Sequence, residues 1–273
     1  MYTVGSTANE IIEVVCPGCL GNLINSDCNS NLQCDLCKIK YNFLSERVVS
    51  FISDKEKTSS KMGFANSLFS IKSGEKIYSY WIITKHLIQK ILKSEDERIG
   101  IEALIADCSI LDLGCGPDLD SSATEYPHLT SKVYVGIDYS ERFVLSAESN
   151  HGDLNHYFIR ASADKLPFRD KTFDLTSALF TIHHVVGSPT QVVRELARVG
   201  RQKVIIFDHV KSTSRWKAAI QKTYWRTFDG GENYLTHPQW MKIFTENDLR
   251  VVSSVKSGIF FNHVIKFVLE ISN

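Results

Sequence analysis

The sequence predicts an α/β protein: a doubly wound, parallel sheet preceded by a small β-rich unit that carries cysteines. Three observations predict it. Between residues 109 and 207, apolar runs of strand length alternate with stretches of helical spacing, the order that builds parallel βαβ sheets. The first run, Ser109-Ile-Leu-Asp-Leu113, ends in Gly114-Cys-Gly116. A strand that turns on glycines before a helix brings bare backbone against a ligand. Ahead of it, Cys16-Pro-Gly-Cys19 and Cys34-Asp-Leu-Cys37 form two C-x-x-C pairs separated by fourteen residues.

Length and charge narrow the classes. A chain of 273 residues holds one full α/β domain plus a small module, and an apolar share of 43% allows a sizeable core. Lys plus Arg and Asp plus Glu both number 31. No global charge therefore draws the chain to nucleic acid or to an anionic membrane, although a local patch is left open. The sequence has no run of eighteen apolar residues, and its start lacks the basic-then-apolar pattern of a secretion signal. The expectation is a soluble cytoplasmic protein that takes a small-molecule substrate and binds neither membrane nor nucleic acid. Its oligomeric state is left open. Seven cysteines, four of them in C-x-x-C pairs, favour metal binding in a reducing compartment over a disulfide framework.

Residues 1–55 form the first unit. Each C-x-x-C pair presents two thiolates to one tetrahedral ion, and two pairs close the shell. Cys16, Cys19, Cys34 and Cys37 are therefore assigned to a structural zinc. The alternating runs Ile11-Ile-Glu-Val-Val15 and Ile39-Lys-Tyr-Asn-Phe-Leu44 flank the pairs as strands. So small a unit has too little core to fold alone, and the metal supplies much of its stability. A redox C-x-x-C and cysteines that have lost their metal are the alternatives, and Cys28 is spare. Residues 56–75 are polar and read as a linker. Residues 76–273 form the second domain.

That domain opens on two helices. Ile77, Trp81, Thr84, Ile88 and Ile91 have helical spacing, and a second helix near Glu95 to Ala106 leads into the first strand. Strands are expected at 110–113, 132–138, 156–159, 174–180 and 203–207. Helices are expected near Asp120-Ser-Ser122, from Ser140 to about Ser149, and from Pro189 through Val199. The last third reads as a helix near 216–225, a loop at 228–232, a helix after His237-Pro238, and strands near 250–255 and 259–268.

Four motifs carry chemistry. Asp112 sets a carboxylate at the end of the first strand, where open parallel sheets bind ligands. The second strand, Lys132-Val-Tyr-Val-Gly-Ile-Asp138, ends in an acid 26 residues later. That is near the ~20-residue spacing of a ribose-hydroxyl ligand. Ala161-Ser-Ala-Asp-Lys-Leu-Pro-Phe168 and Phe173-Asp-Leu-Thr-Ser-Ala-Leu-Phe-Thr-Ile-His-His184 follow. In this order they resemble the class I S-adenosylmethionine-dependent methyltransferases over roughly Ser109 to Phe207. The branch they look most like holds the ubiquinone and menaquinone C-methyltransferases. The cysteine unit resembles the zinc ribbon that precedes many bacterial methyltransferases.

The resemblance implies a Rossmann-like, seven-stranded methyltransferase sheet that ends in an antiparallel pair, with S-adenosylmethionine as cofactor. It implies cofactor contacts at Asp112, Gly114, Cys115, Gly116, Asp138, Tyr139, Ser162, Ala163, Asp164 and Leu179. Backbone at Gly114 and Gly116 would approach the methionine tail, and Asp138 would accept the ribose hydroxyls. The third glycine of the family's first motif is Asp118 here, expected to turn toward the following helix as a cap. The family's adenine-binding acid falls on Ser162, with Asp164 two residues on; a serine can still accept a hydrogen bond there.

Methyl transfer is an in-line displacement that needs positioning and often a base. His183 and His184 are expected to end the fourth strand and His209 to follow the fifth, and any of them has the pKa for the task. Core packing competes with that role. Tyr224, Asp229 and Tyr234 fall in the variable segment that builds the acceptor pocket in the family. The expected reaction is O-, N- or C-methylation of a small molecule. A ribosomal-RNA guanine N-methyltransferase would share the domain order. The ribbon, however, has six acids against four bases, the wrong balance for a phosphate-binding module. Asp118 and Ser162 keep a third reading open, a catalytically silent cofactor-binding or scaffold protein.

Overall fold

The computed structural model describes residues 2–4, 11–26, 31–52, 108–117, 132–152, 155–185, 187–228, 230–259 and 262–272. The expected linker at 56–75, both helices between Ile77 and Ala106, the helix start near Asp120, and Cys28, Asp118 and Asp229 lie outside these residues.

Six short strands build the N-terminal unit: β1 (Tyr2–Val4), β2 (Ile12–Val14), β3 (Leu23–Ser26), β4 (Asn31–Cys34), β5 (Lys40–Phe43) and β6 (Val49–Ser50). The larger sheet adds β7 (Ser109–Leu113), β8 (Val133–Asp138), β9 (His156–Arg160), β10 (Phe173–Leu179), β11 (Gly200–Lys211), β12 (Leu235–Thr236), β13 (Leu249–Ile259) and β14 (Asn262–Ile271). Its seven main strands lie in the order β9-β8-β7-β10-β11-β14-β13, the first five parallel and β14 antiparallel to β11. This is the doubly wound sheet with an antiparallel end that the sequence predicted.

The central strands are apolar without interruption because both faces are covered. β7 is buried at all five positions, and its neighbours in sequence divide between two cores. Ile110 packs with Tyr134, Val144, Ala147 and Phe158 on one face. Leu111 and Leu113 pack with Val135, Ile137, Val193 and Leu196 on the other. The helices supply the covers: α1 (Glu141–His151), α2 (Pro189–Val199), α3 (Arg215–Phe228) and α4 (His237–Glu246). Their starts follow local chemistry. Ser140 caps α1 by accepting from Phe143 N at 3.3 Å. Pro189 opens α2, and α4 carries a capping box made by Thr236 and Gln239.

Two boundaries differ from expectation. β11 spans twelve residues, because Arg201 and Gln202 keep strand geometry on an exposed stretch where no apolar alternation marks it. His209 therefore lies inside the strand, not after it. β10 stops at Leu179: Phe180 takes a left-handed φ of 54°, and a 3₁₀ turn at Ile182–His184 follows. His183 and His184 thus sit in that turn, not on the strand.

The N-terminal unit is continuous with the sheet. β6 pairs with β9 in parallel, Val49 opposite Ile159 and Ser50 opposite Arg160, and β5, β4 and β3 follow outward. Val15 N donates to Pro167 O at 2.9 Å, and Val14 bridges to Phe168. Arg169 reaches back with two nitrogens onto Glu13, at 2.9 and 3.2 Å, and onto Asn22 Oδ1 at 2.8 Å.

A half-buried ion pair ties α2 to the loop after β9. Glu195 accepts from Leu166 N at 2.8 Å and pairs with Arg198 through both oxygens at 2.7 Å. Arg198 donates to Leu166 O at 3.1 Å and Phe168 O at 2.7 Å. Glu195→Ala would leave Leu166 N without its acceptor and Arg198 without its main partner, a loss of about 2–4 kcal/mol. Urea unfolding should show the midpoint falling accordingly, with Glu195→Gln milder because its amide oxygen still accepts. An unchanged midpoint for the alanine variant would mean that the loop is held by something else.

Candidate functional site

The carboxyl ends of β7, β8, β9 and β10 form one rim. At its centre is the turn after β7. Gly114 has φ +74° and Gly116 φ +69°, which L residues with a Cβ rarely adopt. A Cβ on Gly114 would lie 2.0 Å from Thr181 Oγ1, so that glycine lets the turn close against the β10 side. Among the described residues, a Cβ on Gly116 would meet nothing within 4 Å. Gly114 N and Cys115 N donate to Ile137 O at 2.6 and 3.1 Å, and Gly116 N donates to Asp138 Oδ2 at 3.2 Å.

Asp138 ends β8 beside that turn. Its other oxygen accepts from Ser140 N at 2.8 Å. Burial pushes its carboxyl up to about 6, against the pull of the Ser140, Gly116 and Tyr139 N–H groups. Asp112 is deeper. Its oxygens accept from Tyr134 Oη at 2.8 Å and Ser177 Oγ at 2.7 Å, one partner on each neighbouring strand. Burial raises it to about 6 as well, with Ser177 and Tyr134 pulling the other way. Cys115 is buried, and its thiol is pushed well above the usual value by that burial.

Past β9, Ser162 Oγ donates to Asp164 Oδ1 at 2.5 Å. The two residues that competed for one role in the sequence thus form one polar pair, on the loop that Glu195 and Arg198 hold. Tyr139 and Ala163 are half-buried at the same rim, and Leu179 ends β10 across from it. Arg160, at the end of β9, was missed by sequence reasoning. Its guanidinium donates to Tyr139 O at 3.0 Å and Ser50 Oγ at 3.3 Å, and lies 3.3 Å from Glu141. The one signal in the sequence was an arginine closing the apolar run Tyr157-Phe-Ile159, and the structure buries it.

The three histidines meet around His183 but differ in burial. His183 is buried and its Nδ1 lies 2.5 Å from Asp208 Oδ1, while its backbone N donates to Asp208 Oδ2 at 3.1 Å. A carboxylate only accepts, so Nδ1 carries the proton and Nε2 is the basic nitrogen. Burial would raise Asp208; the His183 ring and His209 overcome it and hold the carboxyl below the usual range. His209 is also buried, 4.8 Å from the His183 ring and 5.0 Å from Trp225. His184 is exposed, its ring tilted against that of His183 with centroids 4.0 Å apart. Tyr234 is buried against His183 and Trp225, whereas Tyr224 is exposed on α3. Gly231 covers the cluster so closely that a Cβ there would lie 2.6 Å from His183 Cδ2. Asp208, a single charge inside the run Val204-Ile-Ile-Phe-Asp-His-Val210, was the residue that sequence reasoning passed over.

The cysteines converge. The four sulfurs of Cys16, Cys19, Cys34 and Cys37 all lie within 4.8 Å of one another, with Cys16–Cys37 at 3.6 Å and Cys19–Cys34 at 3.4 Å. Each C-x-x-C pair closes a tight turn: Leu20 N donates to Cys16 O at 2.8 Å and Lys38 N to Cys34 O at 3.2 Å. Leu20 and Lys38 take left-handed φ values of 58° and 64° to complete them. The Tyr41 hydroxyl lies 3.0 Å from Cys16 Sγ in the unit's core.

Comparison with known proteins bears on the domain and the fold. Residues 111–207 match the family model described as a methyltransferase domain. The uncharacterized methyltransferase YcgJ of Bacillus subtilis is 30% identical over 125 residues, 42% of this chain and 48% of that protein. The chain thus spans about half the length of the curated relative it matches. The crystal structure of YcgJ superposes with a TM-score of 0.55 at 15% identity, covering 66% of this chain and all of that one. An S-adenosylmethionine-dependent methyltransferase from Mesorhizobium loti gives 0.52 at 13%, covering 64% and 96%. The methyltransferase complex with the Trm112 activator from Haloferax volcanii gives 0.56 at 13%, covering 78% and 100%. At such identities these structures establish the fold, which is the Rossmann-like methyltransferase fold.

Proposed function

We propose that the protein is an S-adenosylmethionine-dependent methyltransferase acting on a small-molecule acceptor, at oxygen, nitrogen or an enolic carbon. The observation that carries this reading is the rim itself. Two left-handed glycines, the outer one clear of every described residue, stand beside a strand-end carboxylate whose oxygens can each accept a further hydrogen bond. The matching methyltransferase domain covers the same residues.

The residues fit the cofactor. Backbone at Gly114 and Gly116 would lie along the methionine tail, Asp138 would take the ribose hydroxyls, and Ser162 with Asp164 would meet the adenine edge. Asp112 serves from behind, bracing β7 between its neighbours. The cofactor supplies an electrophilic methyl group on a sulfonium. The chain's task is to exclude water, align the acceptor and remove its proton. His183, with Nδ1 fixed by Asp208, is the proposed base, and Asp208 is its positioning residue. The ring lies under the Gly231 loop, so that loop must shift for an acceptor to reach Nε2. His184 and His209 flank it, and Tyr234 packs on it.

The same proposal divides the chain into a ribbon at 1–55, a linker at 56–75 and a methyltransferase domain at 76–273. We assign the ribbon a structural zinc. A tetrahedral shell with metal–sulfur bonds of ~2.3 Å has edges of about 3.8 Å, close to the observed sulfur separations. The described cysteines form no disulfide with one another, which leaves the four thiolates available to the metal.

Two tests follow. Asp138→Ala should weaken S-adenosylmethionine binding roughly ten- to a hundredfold, the loss of a hydrogen bond to a charged acceptor. Hydroxyls need the ionised carboxylate, so wild-type affinity should fall as the pH drops through about 6, while Asp138→Asn should be nearly flat there. Calorimetry that finds equal affinity in a folded alanine variant removes Asp138 from the site. For the ribbon, metal analysis should give about one zinc per chain, and chelation should open residues 11–52 to protease. A metal-free preparation with a protease-resistant ribbon would refute the zinc assignment.

A further inference from the structure

We infer that α3 docks the protein on an anionic lipid surface. This goes beyond the methyltransferase reading and does not require it. The inner face of α3 buries Gln221 and Trp225, with Trp225 stacked 4.5 Å from Tyr234 and 5.0 Å from His209. The outer face carries Trp216, Ile220 and Tyr224, which are 60%, 42% and 42% exposed. Residues four apart form one stripe on a helix, and nine residues at 3.6 per turn set Trp216 opposite Trp225. A helix in a globular protein normally turns its apolar stripe to the core. This one has a second stripe that faces away.

The flanks of that stripe are cationic. Arg215, Lys217 and Lys222 are exposed, and Lys217 Nζ lies 5.3 Å above the Trp216 ring. From Val210 to Phe228 the sequence holds Lys211, Arg215, Lys217, Lys222 and Arg226, and no acid. A chain whose charges balance overall holds five cations and no acid in this stretch, and three of them, Arg215, Lys217 and Lys222, are exposed on α3 beside the apolar stripe. An outward stripe of tryptophan, isoleucine and tyrosine with lysine and arginine beside it is what a helix needs to lie in a bilayer interface. Its apolar side chains enter the acyl boundary while its cations reach the headgroups. The charge selects anionic lipids. Among the described residues no helix is long and apolar enough to cross a membrane, so the seating is superficial. The same helix backs the His183–His209–Tyr234 cluster, which brings that cluster close to the lipid surface.

Sedimentation of the full chain with vesicles tests this. The protein should pellet with mixed phosphatidylglycerol–phosphatidylcholine vesicles, stay in solution with phosphatidylcholine alone, and be released by salt. Each removed cation should cost about fivefold in affinity, so Lys217→Glu with Lys222→Glu should lose roughly twenty-five-fold or more. Trp216→Ser with Ile220→Ser, at exposed positions, should lose at least about tenfold through the apolar contact. Wild-type protein that ignores anionic vesicles would overturn the proposal, and so would either double variant binding like wild type. Self-association without vesicle binding, lost in Trp216→Ser with Ile220→Ser, would assign the face to a second copy and overturn it. Salt-sensitive RNA binding tighter than vesicle binding would do the same. Calorimetry with S-adenosylmethionine on the same samples separates the two readings. Vesicle binding without cofactor binding would sink the methyltransferase proposal and leave the docking intact.

Discussion

Three consecutive backbone N–H groups at the end of β7 are tied to the end of β8, and the candidate cofactor rim depends on that tie. Gly114 and Cys115 share the carbonyl of Ile137, and Gly116 reaches the carboxylate of Asp138. The turn needs left-handed φ at both glycines to aim three successive N–H groups at one strand end. In return it holds Asp138 in place, with Ser140 fixing the other oxygen. Each carboxylate oxygen keeps a further lone-pair site, so Asp138 can hold the turn and still receive a ligand's hydroxyls.

Behind that rim, buried polar groups keep the strand ends level. Asp112 joins β8 through Tyr134 and β10 through Ser177. At the opposite end of β7, Asp174 accepts from Ser109 N at 3.0 Å and Ser109 Oγ at 2.8 Å, and it takes Arg201 at 3.1 Å. Burial would raise the Asp174 carboxyl, but these donors outweigh it and hold the group below the usual range. Buried polar groups are tolerable only when paired, and pairing of this kind admits one register. A slip of a single residue would place Asp112 among the apolar side chains of the other face.

What could be read in the sequence follows from how far apart the partners are. α2 was legible at both ends because Pro189 opens it and Gly200 follows it, both local signals. The left-handed glycine turn, Asp138 at the end of β8 and the convergence of the four cysteines were legible because motif order, family resemblance and C-x-x-C spacing mark them locally. Asp208, Glu195 and Arg160 were not. Asp208 meets His183 across 25 residues, Glu195 meets Leu166 across 29, and Arg160 meets Ser50 across 110. No periodicity encodes such pairs. The ends of β10 and β11 were misjudged for a related reason: a left-handed phenylalanine and a polar strand start are settled by packing, not by propensity.

The ribbon shows how a weak unit is made firm by two different means. Its strands span two to four residues each, too short to be stable alone. The four thiols gather at the knuckles, while at the other end β6 continues the large sheet beyond β9. Between these anchors Val14, Leu23, Leu32 and Tyr41 join the same core as Phe168 and Phe173. The edge of β9 is thereby covered, which removes an open row of backbone donors and acceptors. The cover also reaches the site. Ser50 on β6 accepts from the Arg160 guanidinium, whose Nε holds the carbonyl of Tyr139, the residue after Asp138. An N-terminal unit displaced from β9 would take Ser50 from Arg160 and loosen the backbone beside the Asp138 carboxylate. The unit that holds the four cysteines is thus joined, through one buried arginine, to the end of β8.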